Sequence, residues 1–522
     1  MKITIHSISN KAFRREQSTD ETANSSETQP CLAEGRYLRA LANQLIAYNG
    51  ALASALLPWH TQLIELLADP DLECLSGERR LETLAMALRK HWMNFAHDIA
   101  DHSLKSPALD SDRSAMPVSK GFNFLYERVI APVRLESRCN RNYPDVKNWY
   151  TQHIVFGSGM GAISSLLTVL PYYFQGENQT TLRLDMYGNY LETIRLFRYL
   201  QPKGLTWKRI KNQRELFNRF RQGISDVLFV EPVRYDRQQT LLDPIQLVRA
   251  ARNRPANRPW ILVVDSTLIG STFSMADLID AVKFNPPQIA LEVRSALKLD
   301  QVGLELASAG IIAIHTPHND SSADTPSAKR FFRRLRGIRK LLGSALSFDE
   351  MALLDVPWVF NWDRFDTHTQ AVLDNNRRVA LALVSDQGKL FHHIAHPALT
   401  RKSHFRWAES PFILLHFAAG QDSLDNLAFL QGVLVDQTQQ RGLSFQLGTS
   451  FGFRHHRAEC VIVHNDKRSD GSSPGFLKVA MGARMGPSVM GIIELLRELA
   501  GFDDFAGLRN AYPDVLPVEG YL

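Results

Sequence analysis

Four short stretches of this 522-residue chain carry side chains suited to chemistry on an amine and a phosphate. Residues 295–310, SALKLDQVGLELASAG, place Lys298 just after Ser295, between Leu297 and Leu299, ahead of a run of small residues. A lysine in partly apolar surroundings has a lowered pKa and can act as an amine nucleophile, forming a Schiff base. Residues 157–167, GSGMGAISSLL, read as a glycine-rich turn entering a helix, with Gly159 and Met160 at its start. Such a turn offers N–H groups and the positive end of the helix dipole to a phosphate. Its GxGxG spacing is not that of a dinucleotide fingerprint. Asp265 ends the apolar run WILVVD, where ligands bind in open α/β sheets, and can hold a ring N–H⁺ there. Tyr187, in DMYGNY, stands beside a glycine and can lie flat against a planar ring. Ser295 adds a hydroxyl for the phosphate. A Schiff-base lysine, a pyridinium-facing acid, a stacking ring and a phosphate turn are together the parts of a pyridoxal phosphate site.

Elements must carry these groups to one place. HIVF before the glycine turn, DVLFVEP, PWILVVDST and GIIAIHTP read as short buried strands, and stretches such as DPIQLVRAARNR between them as helices. Strands alternating with helices predict an α/β fold with a mostly parallel sheet covered on both faces, three layers in all. Residues 18–30 are polar and read as a leader, and from about Arg36 to Ser106 the pattern is that of amphipathic helices. SPALDSDRSAMPVSKG, residues 106–121, reads as a linker. From about Phe365 the pattern changes to a long helix, then strands near 458–463 and 476–481, then a last helix PSVMGIIELLRELAG. The expected organisation is a leader and helical extension over 1–112, a large cofactor-binding domain over 113–365, and a small α+β domain over 366–522.

Bulk composition excludes several classes. The chain is 44% hydrophobic and 22% charged, ordinary for a folded globular protein. The expectation is a cytoplasmic protein with no membrane span. Four dispersed cysteines without a CxxC pair argue against a disulfide framework and a structural zinc site. His392, His393 and His396, like His455 and His456, lack an ordered carboxylate set, and no metal is expected. The formal charge is +6, and its densest basic run is Lys329 to Lys340. Phe332, Leu335, Ile338, Leu341 and Leu342 fall there at helical spacing, so the run reads as a basic amphipathic surface helix rather than a nucleic-acid patch.

The order of the four stretches resembles the fold-type I pyridoxal phosphate enzymes of the cysteine and methionine metabolism family, the cystathionine γ-synthase group. Gly157-Ser158-Gly159-Met160-Gly161-Ala162-Ile163 is similar to that family's S-S-G-M-x-A-I turn. Asp185-Met186-Tyr187-Gly188 resembles D-x-Y-G, Val264-Asp265-Ser266-Thr267 resembles V-D-N-T, and Arg294-Ser295-Ala296-Leu297-Lys298 resembles H-S-A-T-K. Glu136-Ser137-Arg138 resembles Y-S-R, which implies that Arg138 reaches a neighbouring subunit's phosphate and that the protein is a homodimer or homotetramer. Lys478-Val479-Ala480-Met481-Gly482 resembles R-x-S-V-G, which puts Lys478 where the family grips the substrate carboxylate.

The departures bear on function. Glu136 replaces a tyrosine, Leu297 replaces a threonine, and Glu231-Pro232-Val233-Arg234-Tyr235 lacks the asparagine of E-T-P-x-N-P, for which Arg234 or Tyr235 would substitute. Lys478 is a point charge without an arginine's fork, and Arg454 or Arg484 would serve instead. The resemblance spans roughly Arg134 to Ala500. It implies a divergent lyase or transferase of amino-acid metabolism, acting through Lys298 with help from Tyr187, by β- or γ-elimination or γ-replacement. An aminotransferase and a non-catalytic binding protein on the same fold are the alternatives.

Overall fold

The computed structural model describes residues 29–99, 131–172, 181–200, 204–318, 326–463 and 474–519. The expected linker and nearly all of the expected leader lie outside the described residues. Seven strands form the main sheet: β1 (Trp149–Phe156), β2 (Leu182–Tyr187), β3 (Leu205–Arg209), β4 (Val227–Val230), β5 (Ile261–Asp265), β6 (Ile289–Ser295) and β7 (Gly310–Pro317). Their order is β1-β7-β6-β5-β4-β2-β3. Only β7 runs against the others, pairing antiparallel with β1 and β6, while β2 through β6 pair in parallel. GIIAIHTP is thus the reversed strand of an otherwise parallel sheet.

Side-chain alternation on β4 shows the layering. Val227 and Phe229 face a core shared with the helices Gly159–Val169 and Pro326–Leu341. Leu228 and Val230 face a second core shared with Gln213–Arg221 and Pro244–Arg252. Both faces of the sheet are buried at its centre, which is why β4 and β5 read as unbroken apolar runs. The smaller sheet holds β8 (His393–Ala395), β9 (Ile413–His416), β10 (Phe445–Leu447), β11 (His456–Ile462) and β12 (Gly475–Ala480), in the order β10-β11-β12-β9-β8. Helices Leu424–Gln440 and Ser488–Ala500 cover it through Leu427, Leu430, Ile492 and Leu496.

The boundary expected between 365 and 366 falls inside one helix, Trp362–Leu383. Its first turn packs Phe365 against Leu299, and its last turns place Val379, Ala380 and Leu383 in the core of the smaller sheet. The helical extension starts at Pro30, whose ring suits the first helical position, and runs as Pro30–Tyr48, Leu52–Leu67 and Leu75–Ile99. Leu38, Leu45, Leu63 and Leu88 join Leu135, Leu304, Ile311, Phe348 and Met351 in a single core. Polar contacts fix the extension to both halves. Arg89 donates to the carbonyls of Leu304 (2.6 Å) and Glu305 (2.7 Å). On the other half, Arg484 donates to Glu82 (2.9 Å), the N–H of Ser488 donates to Glu78 (2.9 Å), and Arg454 pairs with Glu34.

The basic run lies on the helix Pro326–Leu341, but it is not a purely surface device. Phe331, Leu335 and Arg339 are buried, whereas Leu341 and Leu342 are exposed, so the apolar stripe ends earlier than the spacing implied. Arg339 Nη1 donates to Glu136 at 2.6 Å and to the Val155 carbonyl at 2.6 Å, and Arg336 pairs with the same carboxylate. Glu136, which stands where the family has a tyrosine, is therefore a buried structural anion. Among the described residues no helix is long and apolar enough to cross a membrane.

Candidate active site

A cavity of about 330 Å³ opens at the C-terminal ends of the parallel strands, a size that suits a small-molecule site. Lys298, Asp265, Ser295, Gly159, Met160 and Lys478, drawn from four separate stretches of the sequence, all line it. Parallel topology does this: β5 ends at Asp265 and β6 at Ser295, and Thr267 Oγ1 ties the two ends by accepting the Ser295 N–H at 3.0 Å.

The glycine turn meets the end of β6. Ser158 is the N-cap of the helix Gly159–Val169 and accepts the Gly161 N–H at 2.9 Å. The N–H groups of Gly159 and Met160 have no acceptor among the described residues. A Cβ on Gly159 would come within 3.1 Å of the Cα and Cβ of Ser295, so a side chain there would crowd the end of β6. Free N–H groups at a helix start, opposite a serine hydroxyl, form an anion cradle.

Lys298 lies on the loop after β6. Its Nζ donates to Ser450 Oγ at 2.9 Å and stands 4.7 Å from the centre of the Phe451 ring. Gly452, at φ +81°, lets that loop close in, where a Cβ would come within 3.1 Å of Lys298 Cβ. Burial, and then the nearby ammonium of Lys478, pull the Lys298 amine down to about 8. Three carboxyl groups, Asp265, Glu231 and Glu192, face the same space. Asp265 accepts the Thr267 N–H at 3.0 Å through one oxygen, and desolvation raises its pKa. Glu231 accepts the N–H groups of Asn189, Tyr190 and Tyr235 at 2.9, 3.1 and 3.0 Å. Burial and the Asp265 charge still push Glu231 up to about 7. Lys478, on β12, is buried and donates to Tyr235 Oη at 3.2 Å, and desolvation lowers it to about 7.

Four sequence candidates lie away from the cavity. Tyr187 shares a face of β2 with Asp185 and is packed among Ile210, Leu216 and Val230, with the Arg234 guanidinium 5.2 Å above its ring. It is not a wall of the cavity; Tyr190, three residues on, is. Arg138 is turned into its own chain, donating to the Val356 carbonyl at 2.5 Å and pairing with Asp355. Asp355 also accepts Tyr48 Oη of the extension at 2.6 Å. So enclosed, Arg138 points into its own chain rather than outward as the motif implied. Arg454 is held by Glu34 and Arg484 by Glu82, so neither guanidinium faces the cavity. Of the three proposed carboxylate anchors, only Lys478 does.

Tyr190, Tyr235, Thr267, Ser450 and Phe451 complete the walls. Tyr190 was within the quoted stretch DMYGNY, hidden by the more regular Tyr187. Ser450 and Phe451 had no signal, because their loop folds in from 150 residues away. The histidines are spent on structure: His396 packs against the Ser410 carbonyl, and His456 accepts the Gly482 N–H at 3.0 Å. Among the described residues no three His, Cys, Asp or Glu side chains are grouped to hold a metal ion.

The sequence matches no family model and no curated protein. Solved structures do match. Cystathionine γ-lyase from yeast superposes with a TM-score of 0.52 at 16% identity, over 78% of this chain and 98% of that one. The chain has the type I fold of the pyridoxal phosphate enzymes. Cystathionine γ-lyase from Lactobacillus plantarum, complexed with L-serine, gives 0.51 at 13% identity, over 78% and 99%. At these identities the likeness is one of fold alone.

Proposed function

We propose that this chain is a pyridoxal phosphate enzyme that acts on an amino acid carrying a leaving group at its β or γ carbon. One observation carries the reading: the lowered amine of Lys298, the carboxyl of Asp265 and the anion cradle of Gly159, Met160 and Ser295 line a single cavity. The residues fit the cofactor. The cradle would hold its phosphate, Asp265 its ring nitrogen as N–H⁺, Tyr190 would flank the ring, and Lys298 would take its aldehyde. When bound, the cofactor supplies an electron sink for charge developing at the α carbon.

The remaining work belongs to side chains. Asp265 has one oxygen free of the Thr267 N–H, and a proton shared there keeps the ring cationic. Lys298, neutral in an appreciable fraction near pH 8, is placed to accept the α-proton. Phe451 and Ser450 hold its amine over the cavity and exclude water around it. The α-proton passes to Lys298, and the leaving group departs with the electron pair of the broken bond at the β or γ carbon.

The test is spectroscopic. Purified protein supplemented with pyridoxal phosphate is expected to gain a visible absorption band, and borohydride to fix the cofactor covalently to Lys298 in the peptide map. Lys298→Ala is expected to lose the covalent link. Amino acids with β or γ leaving groups are then screened for keto-acid release. No band at any cofactor concentration overturns the reading.

A further inference from the structure

We propose that Lys478 and Tyr235 form a proton-delivering pair that protonates the departing group, so that Lys478 is a catalytic acid rather than a fixed clamp for the substrate carboxylate. The inference rests on the cofactor-dependent reading above. Its geometry is specific. Lys478 Nζ lies 3.2 Å from Tyr235 Oη, and both side chains line the cavity that Lys298 faces. Three rings enclose the ammonium, with Phe412 at 4.1 Å, Tyr235 at 5.1 Å and Phe451 at 5.3 Å from their centres. An enclosed lysine that donates to a phenol is built to pass a proton along that bond.

The surroundings suit the role. Across the cavity stand Lys298, Glu231, Asp265 and Glu192, and Glu459 lies directly opposite Lys478 on β11. Desolvation outweighs the attraction of Glu459 and leaves the ammonium ready to give up a proton near neutrality. Tyr235, raised to about 12 by burial and by Glu231, stays a phenol and serves as relay. Tyr187, the acid that the motif implied, is enclosed on the other face of the sheet.

For S-methyl-L-cysteine the step balances as follows. The α-proton goes to Lys298, and its bonding pair forms the new Cα=Cβ bond. The Cβ–S bond breaks with its pair on sulfur. Tyr235 gives that sulfur a proton and regains one from Lys478, which is recharged from water. With one water added, the products are methanethiol, pyruvate and ammonium.

The experiment compares two probes on cofactor-loaded protein by initial rates. Methanethiolate needs a proton to leave well; chloride, from β-chloro-L-alanine, does not. In Lys478→Arg and Tyr235→Phe the ratio of thiol to chloride expulsion is expected to fall by roughly 10²-fold, the scale of a lost general acid. A clamp predicts the opposite: arginine keeps the cation, and the ratio stays at its wild-type value. In the cofactor-free chain, competitive acetylation of Lys478 read by peptide mass is expected to half-saturate near neutral pH. Half-saturation in the ordinary lysine range overturns the proposal, as does an unchanged ratio in a chain that still shows its visible band. A chain without the band overturns the cofactor reading itself, so the two failures are distinct.

Discussion

Lys478→Met is expected to stabilise the cofactor-free chain, and to do so less as the pH rises. A lysine whose folded pKa is depressed binds its proton more weakly in the native state than in the unfolded one. Between the two pKa values the unfolded chain therefore holds more protons, and stability rises with pH. For Lys478 the values are about 7 folded against 10.5 unfolded. At 1.36 kcal/mol per unit, the wild-type ammonium costs about 5 kcal/mol of stability at pH 6 and about 1 kcal/mol at pH 9.5. The side chain is 3% exposed, so solvent screening removes little of this. Methionine, of similar shape, needs no proton and fits among Phe412, Phe451 and Tyr235. Lost packing and the lost bond to Tyr235 contribute equally at every pH, so the pH-dependent part isolates the ionisation. Urea unfolding at pH 6, 7.5 and 9.5, followed by tryptophan fluorescence and circular dichroism, reads it directly. A stability difference that is flat with pH, or that grows as pH rises, refutes the reasoning.

Three further outcomes follow from contacts described above. Glu136→Gln leaves the buried Arg339 without its anion and is expected to destabilise by about 3 to 5 kcal/mol in urea unfolding, much of it recovered by a second change, Arg339→Met. Tyr190→Ala is expected to weaken pyridoxal phosphate binding several-fold in a spectroscopic titration, whereas Tyr187→Phe leaves it nearly unchanged, because Tyr190 borders the cavity and Tyr187 does not. Glu34→Gln removes the partner of Arg454, two residues from Gly452, and is expected to speed hydrogen exchange in segment 449–457 and to raise the Lys298 pKa as water enters.

The sequence located the cavity's strand-end residues well and its loop residues poorly. Asp265 was legible because an apolar run that stops at a polar residue marks a strand's ligand-facing end, and Ser295 only through its nearness to Lys298. The glycine turn was legible as a helix start, because glycine and serine there mark a capped first turn. Tyr187 misled because strand alternation, which sets its direction, depends on register, and a one-residue phase decides which face a ring meets. Arg138, Arg454 and Arg484 misled for another reason. Each has its motif's residue type, but its partner (Asp355, Glu34 or Glu82) is remote in sequence, and a guanidinium already paired is unavailable. The strands β2, β3 and β6 escaped notice because polar residues such as Arg183, Asp185 and Lys208 interrupt their apolar pattern.

The helix Trp362–Leu383 belongs to two cores at once, and that bears on how this protein can be divided. A cut at 365 would sever 22 residues of continuous helix after its first turn. The larger fragment would lose the turns that follow Phe365, and the smaller would begin with a frayed helix end exposing Val372 and Leu373 to water. Each piece would lose part of its own core with the severed helix. Recombination that exchanges the smaller half for a relative's has to carry the whole helix with it, together with the extension helices whose glutamates hold that half in place.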